Sequence, residues 1–167
     1  MKFFLWLAAF SLFLQSAWAE PGGLERDQHY TALFDRSEGW LGADGAYSVP
    51  LGDGRTLWLF SDTLVGHKGQ PDSITMLHNS LALEQSGNLA FDARQLFTPP
   101  DGKGWFWVYQ GYTVKPDECW VFLGQFKQAP GPAGFDFAFV GSWLAHLSVP
   151  TKGLPRVLEY QPLPHWP

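Results

Sequence analysis

The run "RTLWLFS", Arg55 to Ser61, is apolar on both of its sides. Alternate side chains of an extended strand project to opposite faces, so Trp58 and Phe60 share one face while Leu57 and Leu59 share the other. A strand of this kind needs apolar cover on both sides. That favours a sheet held between neighbouring sheets, as in a propeller blade, over one layer of a two-layer sandwich. A barrel filled with aromatic side chains would meet the same need.

The strand is the second arm of a hairpin. "GADGAYSVPLGDGRTLWLFSDT", residues 42 to 63, folds at Gly52-Asp53-Gly54, with arms from Ala46 to Leu51 and from Arg55 to Ser61. A three-residue loop sets Leu51 opposite Arg55, Ser48 opposite Trp58 and Asp44 opposite Asp62; a two-residue Asp53-Gly54 turn slips this by one. In either register the two carboxylates are expected at the open end of the hairpin. Directly opposed residues have Cβ atoms about 5 Å apart, where like charges repel. Carboxylates that close push one pKa upward, as in acid/base pairs. The alternative is that each aspartate caps a strand end and accepts hydrogen bonds from loop amides.

Helical periodicity is almost absent elsewhere, and short β-rich runs punctuated by Gly, Pro, Asn and Asp predict an all-β chain. After the hairpin come "SITMLHNSLALEQ" and, past a turn at Ser86-Gly87-Asn88, the short "LAFDAR". "LFTPPDGKG" is a linker that no central strand would accept. The plan then repeats: "WFWVYQGYTV", a turn at "KPDE", "CWVFLGQFK", a breaker at "APGPAG", the long "FDFAFVGSWLAHLSV" and the short "RVLEY". Two four-stranded units at a period near sixty residues suggest propeller blades, the first over about 40–98 and the second over about 104–160.

Residues 1–19 are expected to be removed. Lys2, the apolar run Phe3 to Leu14 and the Ala17-Trp18-Ala19 cleavage site form a secretory signal peptide, too short for a membrane anchor. This predicts a secreted or periplasmic protein with no membrane attachment after cleavage, a lead-in over 20–37 and a β domain over 38–167. Loss of Lys2 takes the formal charge from −5 to −6, and no basic patch is present to follow a phosphate backbone, which argues against nucleic acid. Cys119, the single cysteine, lies in an apolar strand pattern and reads as a small hydrophobe. No His/Cys/carboxylate set has metal-ligand spacing, so neither a metal nor another cofactor is implied.

"GWLGADGAYSVPLGDGRTLWLFSDTLVG", with "HNSLALE" and "FTPPDGKGWFWVYQGYTV", resembles an exported bacterial family of five-bladed propellers of unknown function, related to endo-acting arabinan hydrolases and other furanosidases. The resemblance covers about residues 38–147. It implies that Asp44, at the entry to the innermost strand of the first blade, faces a central funnel as nucleophile or general base. Asp62, the second candidate catalytic residue, returns to the same rim, to orient Asp44 or to bond local amides. Trp40, Trp105 and Trp107 are candidates for stacking on sugar rings, with blade-to-blade packing as the alternative use of each. His78 and Asn79 fall on a strand removed from the axis and read as structural. Glu118, in "DEC", reads as a solvated turn residue pointing away from it.

Two blades do not close a five-bladed ring. The chain is therefore expected to be an incomplete, truncated portion of a longer propeller, inactive alone, with uncovered blade faces open to self-association. The function expected of the complete form is glycoside hydrolysis of a polysaccharide or oligosaccharide. The alternative is a non-catalytic carbohydrate-binding or scaffold propeller.

Overall fold

The structure, a computed structural model, describes residues 24–164. The expected signal peptide, residues 1–19, lies outside the described residues. The chain divides into two compact units, one ending at Ala32 and one beginning at Leu33. The first contributes most of a short helix, α1 (Gln28–Phe34). Asp27 starts this helix by accepting a hydrogen bond from the Tyr30 N–H on its Oδ1 at 3.1 Å, as an N-cap does.

The second unit is built of antiparallel strands in three sheets, none of which closes on itself. They are β1 (Glu38–Ala43), β2 (Tyr47–Pro50), β3 (Arg55–Phe60), β4 (Thr63–His67), β5 (Thr75–Leu77), β6 (Ser80–Gln85), β7 (Asn88–Asp92), β8 (Trp105–Lys115), β9 (Glu118–Gln128), β10 (Phe137–Ser148) and β11 (Arg156–Pro162). The first four-stranded sheet runs β2-β3-β6-β7, the second β11-β10-β9-β8, and a three-stranded sheet runs β1-β4-β5. The hairpin has the three-residue loop, with the Leu51 N–H bonded to the Arg55 carbonyl at 2.9 Å and Ser48 opposite Trp58. Gly52 and Gly54 both take positive φ there, which L side chains resist.

The three-stranded sheet is a feature the sequence reading did not contain. It continues the first four-stranded sheet across a shared crease, where β1 passes into β2, β3 into β4, and β5 into β6. The register carries through: Ala43 faces Thr63 on one side of the crease, and Tyr47 faces Leu59 on the other. Likewise Thr63 faces Leu77, and Phe60 faces Ser80. The run "SITMLHNSLALEQ", expected as one strand, is therefore cut at His78-Asn79. Asp44 and Asp62 stand not at an open end but at the crease within longer paired strands. There the Asp44 N–H bonds the Asp62 carbonyl at 3.1 Å and the Ser61 N–H bonds the Asp44 carbonyl at 3.0 Å, so two residues share one partner as in a β-bulge.

The two four-stranded sheets pack face to face. Leu57, Leu59, Val49 and Leu81 from the first meet Phe106, Val108, Val121 and Leu147 from the second in one buried core. Gly111 on β8 permits this approach, since a Cβ there would lie 2.9 Å from Val49 Cγ2 and 3.1 Å from the Trp120 carbonyl oxygen. Cys119 is part of this core, and burial pushes its thiol up to about 12, in keeping with a hydrophobic role. The other face of β3 is covered as well: Phe60 lies with Trp40, Ala82, Phe34, Trp58 and Phe91 in a second cluster. The expectation that both sheets keep an uncovered face is thus corrected for the first. On the second, Tyr112 and Phe122 remain exposed on the face opposite the core.

Candidate active site at the crease

Three strand breaks bring Asp44, Asp62 and His78 together, and the second sheet closes the arrangement from the side. Asn79, buried beside His78, fixes that approach. Its amide donates to the Phe97 and Phe106 carbonyls at 2.9 Å each and its Oδ1 accepts the Phe97 N–H at 2.9 Å. Ser61 adds a second tie, donating to the Val108 carbonyl and accepting the Val108 N–H, both at 3.0 Å. The start of β8 is thereby held against the crease, and its alternate side chains Trp105, Trp107 and Tyr109 come to the site.

Asp62 Oδ1 accepts two hydrogen bonds, from Trp107 Nε1 at 2.7 Å and from the His78 ring at its Nδ1, 3.1 Å away. The His78 ring in turn stacks on Trp105, with centroids 4.5 Å apart and planes 16° from parallel. Trp105 has its buried indole N–H without a hydrogen-bond partner among the described residues. Trp107 stands edge-on to Trp105 at 6.0 Å and packs against Phe126 at 4.3 Å. Asp62 is thus the anchored member of the pair, held by one tryptophan and by a histidine that a second tryptophan backs.

Asp44 is the member that faces a ligand space. It lines a cleft of about 270 Å³ together with Gly45, Tyr47, Ser61, Trp107, Val108 and Tyr109. Burial against the cleft wall pushes the Asp44 carboxyl above its ordinary value; the Asp62 charge pushes the same way, and the backbone bond to Asp62 takes back part of the rise. Burial also raises the Tyr109 phenol, with Tyr47 beside it as the second cause. A carboxyl group with raised proton affinity beside a second carboxylate can exchange a proton with a reacting group, and aromatic walls can hold a ring against it.

Of the residues singled out in the sequence, Asp44, Asp62, Trp105 and Trp107 come together here. Trp40 does not. It is buried in the second cluster with its ring stacked on Phe91 at 4.5 Å, because β1 turns it under the first sheet. Glu118 is not a solvated turn residue either: it opens β9, is half-buried, and accepts from Lys115 at 2.9 Å and from the His146 ring at 3.2 Å. His78 joins the site although its strand position argued otherwise, and Tyr47 and Tyr109 were not anticipated. Two signals existed. The polar triplet His78-Asn79-Ser80 interrupts an apolar run, and period two from Trp105 and Trp107 points to Tyr109. Among the described residues, no three or more His, Cys, Asp or Glu side chains gather into a set able to hold a metal ion.

No curated protein matches this chain. Among solved structures, a crystal structure from Bacteroides ovatus of a protein provisionally named a hydrolase superposes with a TM-score of 0.66 at 21% identity, covering 81% of this chain and 43% of that one. The likeness at that identity is one of fold, and the chain spans less than half the length of that relative. The family described as a domain of unknown function (DUF5005) matches residues 27–165. With the match running from α1 to beyond β11, the chain belongs to the DUF5005 family.

Proposed function

We propose that this chain is part of a longer, exported protein of the five-bladed propeller type that acts on a polysaccharide or oligosaccharide, with Asp44 as nucleophile or general base of a glycoside-hydrolysing site. The observation that carries the reading is the Asp44–Asp62 pair at the crease, its Asp44 side open to an aromatic-walled cleft. Supporting the architecture are two four-stranded antiparallel sheets packed face to face and an exposed aromatic face on the second, on which a further sheet or a second copy would pack. A similar fold in a longer protein provisionally named a hydrolase is compatible with a hydrolase role.

Glycoside hydrolysis uses two carboxyl groups, one to protonate the departing oxygen and one to attack the anomeric carbon or to take a proton from water. Asp44 suits the second role. Asp62 is committed through Oδ1 to Trp107 and His78 and suits neither; it holds charge beside Asp44 and orients it. The proton donor then comes from elsewhere in the longer protein. In a full-length relative, Asp44→Asn should cut reducing-sugar release from a polysaccharide panel by about 10²-fold or more while leaving the melting temperature nearly unchanged. Retained activity would remove Asp44 from the mechanism.

The engagement of Asp62 also favours a second reading, a non-catalytic carbohydrate-binding or scaffold propeller, since only one carboxyl group faces the cleft. Glycan binding that survives Asp44→Asn but fails on Trp107→Ala would select it.

A further inference from the structure

The cleft is unusual in which of its polar groups are already spent. The Ser61 hydroxyl is used as both donor and acceptor by Val108, and the Trp107 indole N–H is used by Asp62. What the walls present to a ligand is the Asp44 carboxyl group, the ring of Trp107, and the rings and phenol hydroxyls of Tyr47 and Tyr109. Among the described residues, no lysine, arginine or histidine lines the space. His78 pairs with Asp62 at 3.1 Å and stacks on Trp105. The negative charge of Asp44 therefore has no side-chain partner among the groups lining the cleft, at a surface that is otherwise largely aromatic.

A neutral sugar entering such a cleft can replace the water on the Asp44 carboxylate with hydroxyl hydrogen bonds, but it brings no charge to answer that of Asp44. A cation returns both a Coulomb attraction and contact with ring faces, which is the arrangement aromatic cages use for ammonium groups. The volume, about 270 Å³, lies just under the roughly 300–1,000 Å³ of drug-sized pockets and suits one sugar ring. We propose that the cleft selects a sugar residue bearing a protonated amine, with the ammonium set against the Tyr47, Trp107 and Tyr109 rings within reach of the Asp44 charge. This rests on the carbohydrate-directed reading above and specifies its substrate class. Binding of that ammonium would favour the ionised form of Asp44, the form in which it serves as base or nucleophile.

The test is a binding titration of the full chain with glucosamine, glucose and N-acetylglucosamine, three pyranoses that differ in carrying, lacking or capping the amine, read from the ¹⁵N-labelled indole signal of Trp107. Glucosamine should bind at least about tenfold more tightly than either neutral sugar, the order of one favourable cation–π contact. Asp44→Asn should reduce that preference to about threefold or less, and raising the pH until the amine is neutral should erase it in the unaltered chain. Equal affinity for the three sugars, or no binding of any, overturns the proposal, as does a preference that survives both Asp44→Asn and neutralisation of the amine. The two levels separate cleanly. Equal binding removes the ammonium and leaves a carbohydrate site, whereas a glucosamine preference in a relative that cleaves no glycan removes the hydrolase reading and leaves the ammonium site.

Discussion

The β2–β3 hairpin carries an aspartate toward each end, and the two ends treat it in opposite ways. At the turn, burial pushes the Asp53 carboxyl up, but the hydrogen bonds and charge of Arg55 outweigh it and hold the group below its ordinary value. Arg55 spends its other donors on the carbonyls of Val149 at 3.1 Å, Pro150 at 2.9 Å and Pro116 at 2.7 Å, and the residue is 2% exposed. At the crease, burial and Asp62 both push Asp44 up, and no basic side chain among the described residues lines its cleft. One end has a charge matched by the fold. The other has a charge the fold leaves unmatched beside an open space, which is the usual mark of a site meant for a ligand.

The sharpest way to break this comparison is at the matched end. Arg55→Met keeps much of the side-chain volume but strands three carbonyls and the Asp53 carboxylate at the seam between the sheets. Breaking one partner of a buried, hydrogen-bonded charge typically costs about 3–5 kcal/mol. A drop of that order in unfolding free energy, measured in urea, would identify Arg55 as the clasp of the two sheets. A change under about 1 kcal/mol, the range of exposed ion pairs, would mean that the turn end is no more determined than a surface salt bridge.

Between the two ends, the seam depends on Gly111. An added methyl would press on Val49 Cγ2 and the backbone oxygen of Trp120, of which only the first can rotate away. Gly111→Ala should cost about 1–3 kcal/mol, as overpacking in a well-filled core does. Because the contact lies on the same strand as Trp107, the Trp107 indole N–H signal should shift in this variant. No loss of stability would show that β8 sits loosely on β2 and β3, and would weaken any argument that fixes the cleft by sheet packing.

How much of this was legible beforehand follows from the range of the interactions involved. The hairpin register, the four strands of the second sheet and the two-sided burial of β3 depend on period-two patterning and local turn chemistry, and each is readable from a dozen residues. Arg55 is different. Nothing local tells that a strand-opening arginine reaches carbonyls about a hundred residues away, and Glu118 hides its His146 partner in the same manner. The crease was missed because each strand break is short and ordinary alone; only pairing aligns Asp44, Ser61-Asp62 and His78-Asn79 at one level. Trp40 was misplaced for a related reason, since aromatic character marks a sugar platform and a core residue alike until the covering Phe91 is known.

The smallest effect gives the finest discrimination, because it has opposite signs at the two ends. Asp53 has a folded-state pKa below that of the unfolded chain, so its contribution to stability is present at neutral pH and disappears as pH falls through the folded value. Asp44 has a folded-state pKa above the unfolded one. The native state then binds the proton more tightly, and stability declines as pH rises from the ordinary carboxylate value of about 3.9 through the folded value. At pH 7, Asp53→Asn should therefore lower the unfolding midpoint, while Asp44→Asn should raise it. Exposure of Asp44 keeps the gain below about 1 kcal/mol. The Asp44→Asn gain should vanish once the pH is below the ordinary carboxylate value, and the Asp53→Asn loss should vanish only at still lower pH. If Asp44→Asn instead destabilises the chain at pH 7, a cation or a set of donors must be answering Asp44 in solution, and the contrast between the two ends of the hairpin fails.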